Sequence, residues 1–238
     1  MNICVIPARG GSKRIQNKNI KEFSGKPIIA WSIETALASG CFDQVIVTTD
    51  DPKIAEVARF YGAKVPFFRP AELSDDYTGT VAVIQHAVNW FIENERAPDY
   101  VCCLYATAPF VQTEDLRAGL AKIKSTQSDY VFTVASFESP IQRAIKINAQ
   151  GRVEMFSPEL INERSQDLDE AYYNAGQFYW GQADAWLQGR RVMTGDSVPL
   201  VIPRGQVQDI DTPEDWEHAE LLFGWLQDKE KIQHLKCV

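Results

Sequence analysis

Through its first 135 residues the chain alternates short apolar runs with stretches of helical period. Residues 3–6 form an apolar run that ends at Pro7 and read as a first strand. Pro27 opens a helix with Ile29, Ile33 and Ala36 along one face. Residues 45–49 are β-branched throughout, the composition of a buried strand. Asp51 is placed to cap the next helix and Pro52 to start it. Ile54, Val57, Ala58 and Tyr61 supply its apolar stripe, and Gly62 stops it. Residues 64–68 are expected to be another strand. A helix is predicted over 80–94, with Val81, Ile84, Val88, Phe91 and Ile92 facing inward. A strand over 100–104, a helix over 113–124 and a strand over 130–135 follow.

Strands alternating with helices imply βαβ units and a mostly parallel sheet flanked by helices. Such sheets bind ligands at the carboxyl ends of their strands, so the loops after Ile6, Thr49, Phe68 and Leu104 are expected to line a site. After Pro140 the rhythm changes. Residues 141–155 read as a hairpin, and 157–169 are polar and rich in acids. Residues 174–180 and 198–202 read as strands again. The middle stretch is expected to be a flap or oligomer contact inserted into one domain spanning 1–238. Thr212 caps a last helix, Pro213 takes its first position, and Asp215 closes a capping box. Trp216, Ala219, Phe223 and Leu226 make its inner face.

Charge narrows the partners. A net charge of −8 argues against a nucleic-acid binder, which needs a broad basic surface, but leaves room for a nucleotide held by a few local cations. The five cysteines, Cys4, Cys41, Cys102, Cys103 and Cys237, form no Cys-x-x-Cys pair and no zinc spacing with histidine. His86, His218 and His234 fall in predicted helices and read as surface or packing residues. No apolar run approaches the roughly 20 residues that span a bilayer. Arg9, Lys13 and Arg14 interrupt the one candidate for a leader segment. A cytoplasmic setting without membrane contact is the expectation.

Cations gather in the loop after the first strand, Pro7-Ala8-Arg9-Gly10-Gly11-Ser12-Lys13-Arg14, with Lys18 and Asn19 just beyond. Paired glycines allow close backbone approach to an anion, and Arg9, Lys13, Arg14 and Lys18 bring charge suited to a polyphosphate. The run has neither the Walker A spacing nor the dinucleotide fingerprint. Asp209 and Asp211 alternate about Ile210, so both carboxylates leave one side of an extended chain. Two readings stay open: a Mg²⁺ site completed by phosphate oxygens, or polar residues ahead of a helix. Arg69 and the Thr78-Gly79-Thr80 segment could frame a base, with Thr78 alternatively a helix cap. Tyr105 and Ala106 follow a strand and read, on their own, as an ordinary turn. Arg164 could meet a substrate carboxylate, and Asn174 and Gln177 could bond sugar hydroxyls; a solvated hairpin tip is the equal alternative.

Taken together these residues resemble the CMP-sugar synthetases, the acylneuraminate cytidylyltransferase family. The opening Ile-Pro-Ala-Arg-Gly-Gly-Ser-Lys-Arg, Lys18-Asn19, Arg69-Pro-Ala-Glu-Leu and Asp209-Ile-Asp-Thr match the family pattern in order and spacing over nearly the whole chain. The runs from Asn162 and Ala175 look more narrowly like its pseudaminic acid branch. The resemblance implies a Rossmann-like nucleotidyltransferase fold with an inserted dimerisation arm over 140–172, and a homodimer. It implies transfer of CMP from CTP to the anomeric hydroxyl of a nine-carbon sugar acid. Arg9 and Lys18 would be catalytic; Arg9, Gly10, Gly11, Ser12, Lys18 and Asn19 would hold the triphosphate. Ala8, Arg69, Thr78, Gly79 and Thr80 would surround the cytidine, and Asp209 and Asp211 would bind Mg²⁺. Tyr105, Ala106, Arg164, Asn174 and Gln177 would face the sugar. One departure matters. Sialic acid enzymes carry Gln-Pro-Thr-Ser-Pro where this chain has Tyr105-Ala106-Thr107-Ala108-Pro109. A phenol in place of an amide fits a 5,7-diacylamino sugar with fewer hydroxyls better than N-acetylneuraminate. The same reaction on legionaminate, N-acetylneuraminate or 3-deoxy-manno-octulosonate, and a non-catalytic nucleotide binder on this fold, are the rival expectations.

Overall fold

A computed structural model describes the backbone of residues 1–236 and the side chains of residues 1–229; Cys237 and the His234 side chain lie outside the described residues. In chain order the elements are β1 (Asn2–Pro7), β2 (Glu22–Phe23), β3 (Lys26–Pro27), α1 (Ile28–Ser39), β4 (Gln44–Thr48), α2 (Pro52–Phe60), α3 (Thr80–Asn94), β5 (Tyr100–Leu104), α4 (Thr113–Thr126) and β6 (Tyr130–Ser136). Then come β7 (Ile145–Ile147), β8 (Val153–Met155), β9 (Tyr172–Gln182), α5 (Ala183–Leu187), β10 (Ser197–Val201) and α6 (Pro213–Lys236).

Six strands form the central sheet in the order β10-β6-β9-β5-β1-β4. β1 pairs in parallel with β4 and β5, and β6 with β10. Only β9 runs antiparallel, to both β5 and β6. Its direction follows from the arm. The chain leaves the carboxyl end of β6, makes the excursion through the β7–β8 hairpin, and re-enters at the same end. The first half of β9 therefore lies beside the carboxyl ends of its neighbours. Between Phe132 and Val134 of β6 the pairing jumps from Tyr179 to Asn174, so β9 bulges there, with Gly176 at φ 62°.

Period-two alternation sends strand residues into two cores. Cys4, Ile6, Val47 and Leu104 meet α1, α2 and α4 on one face. Ile3, Val5, Ile46 and Val101 meet α3 and α5 on the other. The strands read as unbroken apolar runs because both faces are covered. α6 makes a third cluster, where Trp216 and Phe223 pack edge-on against Phe23, each with ring centroids 5.4 Å apart.

Most predicted elements are present, with three corrections. Residues 64–68 are not a strand; they make isolated parallel bridges, Ile46 with Lys64 and Thr49 with Phe68, because Pro66 cannot donate to a ladder. Ile92 is 46% exposed, so the inner face of α3 runs through Val83, Ile84, Ala87, Val88 and Phe91 instead. Thr78 is not a cap; Gly79 takes that position on α3.

Candidate active site

A pocket of about 290 Å³ opens at the carboxyl ends of β1 and β5. The loop after β1 forms one wall and delivers Arg9, Ser12, Lys13, Arg14, Lys18 and Asn19. Arg69, Thr78, Thr80, Tyr105 and Asp211 close it from the other loops. The loops after Ile6, Phe68 and Leu104 thus line it where strand polarity placed them, whereas the loop after Thr49 stays behind the wall, with Asp50 accepting from Gly10 and standing beside Arg69.

The phosphate-type loop is braced by side chains from outside it. Asn19 is buried and donates its amide to the Arg9 carbonyl at 2.9 Å. Gly10 donates its N–H to Asp50 Oδ1 at 2.9 Å, and Ser12 donates to the Gly10 carbonyl at 3.0 Å. Two of the backbone donors expected to face an anion are therefore already engaged. The glycine at 10 has a packing reason: a Cβ there would sit 2.8 Å from Asp51 Oδ2 of the α2 cap. Positive charge in this wall comes from side chains. Arg9 pairs with Asp76 at 2.9 Å, and Lys13 pairs with the same carboxylate. Arg14 reaches Asp211 at 2.9 Å and Lys18 reaches it at 3.3 Å.

Asp211 is held in place by its neighbours. Ile210 is buried against Trp216 and Phe223, a burial that contributes about 1.5–3 kcal/mol. With Ile210 pinned inward, the flanking carboxylates are directed outward. The Asp211 and Thr212 N–H groups donate to Asp215 Oδ2 at 3.0 and 2.7 Å, and Asp215 N–H donates back to Thr212 Oγ1 at 3.2 Å. This is the capping box expected for α6. Two carboxylates with hard oxygens, one lining the pocket, suit a Mg²⁺-type ion. Among the described residues no cluster of three acidic, histidine or cysteine groups would hold a metal alone, so phosphate oxygens would have to complete the shell.

Arg69 is 6% exposed and lies 3.8 Å from Asp50 Oδ1, too far for a hydrogen bond. Its Nε and Nη2 have no hydrogen-bond partner. Burial pulls its pKa down, opposed by Asp50 and reinforced by Arg9. A buried guanidinium with unused donors at a pocket wall is a built receptor for acceptor atoms.

Beyond Tyr105 lies a second, apolar cavity of about 200 Å³. It shares Thr80 and Tyr105 with the first and adds Asn174, Tyr179, Trp186 and Met193. Its polar atoms are turned on one another: Asn174 donates to the Tyr179 hydroxyl at 2.7 Å, and the Tyr105 hydroxyl sits 3.4 Å from Thr80 Oγ1. Burial, ahead of the neighbouring Cys103, raises the Tyr105 pKa, with Asp209 adding to the rise. The phenol stays protonated and acts as a donor rather than a base.

Other expected residues are placed differently. Ala8 and Ala106 are 1% and 3% exposed and belong to the core, so their side chains support the pocket from beneath. Gln177 is buried and gives its amide to the Gln206 carbonyl. Arg164 sits in the arm, 71% exposed, in a two-pronged ion pair with Asp167 at 2.6 and 3.2 Å, and does not line the pocket. Thr107, part of the run from Tyr105 to Pro109, lines the pocket, whereas Asp50, Asp76 and Val83 were not singled out from sequence. The position of Asp50 directly after a strand was the one available signal.

The family model described as "Cytidylyltransferase" matches residues 3–192, more than half of the chain. The chain belongs to the cytidylyltransferase family. It is an enzyme of the nucleotidyltransferase class. A pseudaminic acid cytidylyltransferase of Campylobacter jejuni is 48% identical over 93% of this chain and 96% of its own length. A CMP-N,N'-diacetyllegionaminic acid synthase of Legionella pneumophila is 31% identical over 93% and 95%. Among solved structures, a CMP:2-keto-3-deoxy-manno-octonic acid synthetase complexed with CTP superposes with a TM-score of 0.69 at 17% identity, covering 94% of this chain and 98% of the other. That likeness establishes the nucleotidyltransferase fold. Among the described residues no helix is long and apolar enough to cross a membrane.

Proposed function

We propose that the protein transfers CMP from CTP to the anomeric hydroxyl of pseudaminic acid, releasing pyrophosphate. The observation that carries the nucleotide half is the convergence of Arg9, Lys18, Arg69 and Asp211 on one pocket at the sheet's carboxyl edge. The sugar half is supported by the 48% identical C. jejuni relative and by the apolar cavity beyond Tyr105. Acylamino and deoxy positions suit that lining; hydroxyls there would lose water without gaining partners. CMP-pseudaminate would serve surface glycan or flagellin glycosylation, in the cytoplasm.

In this reading Arg9, Lys13 and Lys18 neutralise the triphosphate, and Arg69 offers its unused N–H donors to the cytosine. Tyr105 donates to the sugar from the floor between the two cavities. Asp209 and Asp211 would hold the divalent metal that cytidylyltransferases generally use, proposed as Mg²⁺. Bound there, it supplies charge neutralisation and polarisation at the phosphates. Positioning and charge account for most of such a transfer. Ile145, Ile147, Val153, Phe156 and Ile161 leave an apolar face on the arm, which supports a homodimer joined through 140–172. Arg164 could then release Asp167 and serve either subunit's sugar site.

The test is pyrophosphate release from CTP with pseudaminic, N,N'-diacetyllegionaminic and N-acetylneuraminic acids. Preference for pseudaminic acid by at least about tenfold in kcat/KM is expected. Equal or greater turnover of N-acetylneuraminic acid would overturn the sugar assignment.

A further inference from the structure

All four cations of the loop after β1 are already paired with carboxylates from distant segments. Arg14 and Lys18 share Asp211, which the proposed reaction uses. Arg9 and Lys13 share Asp76, which it does not. Asp76 belongs to the segment 74–79 that leads into α3; it does not line the pocket itself but pairs with Arg9 and Lys13, which do.

That segment is built to present Asp76. The neighbouring Asp75 turns its carboxylate back onto its own turn, where Oδ1 accepts the Tyr77 N–H at 3.0 Å, the Thr78 N–H at 2.7 Å and the Thr78 hydroxyl at 2.7 Å. Arg9 also donates to the Asp75 carbonyl. The turn is thus fixed at both ends while Asp76 faces the loop cations. Hydrogen bonding from Lys13, with the charges of Lys13 and Arg9, holds the Asp76 pKa below the usual range, so it is ionised at any working pH. The contacts are partly exposed, with 35% of the Arg9 and Asp76 side chains accessible, so the pairing can be exchanged for another anion.

We propose that Asp76 is a positioning residue that acts as a competing anion: it holds Arg9 and Lys13 in place between turnovers, yields them to the triphosphate, and reclaims them as pyrophosphate leaves. The inference rests on the reading of this pocket as the CTP site. A phosphate bound to Arg9 and Lys13 lies beside a displaced carboxylate, and like charges at that range repel. Asp76 therefore weakens phosphate binding and speeds release. A merely structural Asp76 would do the opposite, because losing it would loosen Arg9 and weaken binding.

The test is calorimetric binding of CTP and of pyrophosphate to the full chain with Mg²⁺, together with steady-state turnover. Asp76→Asn keeps the shape and removes the charge. It should tighten both ligands by about fivefold to tenfold, lower KM for CTP, and lower kcat through slower pyrophosphate release. Asp76→Glu should return both constants toward wild type, and the gain should shrink at 0.5 M salt, where the Debye length is only about 4 Å. Unchanged or weaker pyrophosphate binding in Asp76→Asn overturns the inference while leaving the CTP site standing. Failure of the wild-type protein to bind CTP overturns both.

Discussion

The nucleotide pocket and the inserted arm are made by opposite strategies. In the pocket, groups far apart in sequence are brought together: Lys18 meets Asp211, 193 positions away, and Arg9 meets Asp76. The arm satisfies itself locally. Phe156 N–H donates to the Ala144 carbonyl, Arg143 to the Glu163 carbonyl, and Arg164 pairs with Asp167 three residues on. The pocket's supports are buried, as at Asn19, Arg69 and Ile210, whereas the arm leaves Ile147 76% and Val153 67% exposed. The first region is lined by residues from several loops of this chain. The second leaves apolar side chains exposed, which a second copy would cover in the proposed homodimer.

Substitutions in the two regions should therefore separate catalysis from assembly. Lys18→Ala is the most damaging: turnover should fall by about 10²–10³-fold, the range for losing one preorganised charge partner in a transition state. Its ion pair with Asp211 is part-exposed, so thermal stability should change by less than about 1 kcal/mol, checked by melting. Near-normal turnover would remove Lys18 from the catalytic group. Asp211→Asn should lower turnover somewhat less and move the Mg²⁺ titration to higher concentration. An unchanged titration would count against the metal site.

Arg69→Met makes a sharper point about the pocket. It should weaken CTP binding by about tenfold and yet leave the melting temperature equal or higher, because it removes a buried guanidinium with unmet donors. A fall in both would show that Arg69 is a structural residue. The smallest effect on chemistry is expected from Ile147→Lys with Val153→Lys. If the wild-type chain is the proposed homodimer, light scattering should show this variant as a monomer beside it, with CTP affinity changed less than about twofold.

The contrast also explains what could be read from sequence. The sheet, its helices and the loop cations were legible because strand periodicity, Pro52, Thr212 and the run from Ile6 to Arg14 are local signals. The reversed direction of β9 was not, since it follows from where the arm re-enters and not from the residues of the strand. Residues 64–68 looked like a strand by composition, yet Pro66 limits them to single bridges. Asp50 and Asp76 were missed because an exposed aspartate in a loop carries no local mark of the cation it will face. The engagement of Gly10's N–H by Asp50 and the burial of Ala8 are tertiary facts of the same kind. A motif names the residues near a ligand without saying which of them brace the others.

The most direct test is CTP binding by the Ile147→Lys, Val153→Lys variant, which the proposed dimer predicts to be monomeric, measured by titration calorimetry with Mg²⁺ beside the wild-type chain and Lys18→Ala. Wild-type affinity is expected in the monomer, and a large loss in Lys18→Ala. A monomer that no longer binds CTP would contradict this expectation, because the nucleotide pocket would then need the second copy as much as the arm does.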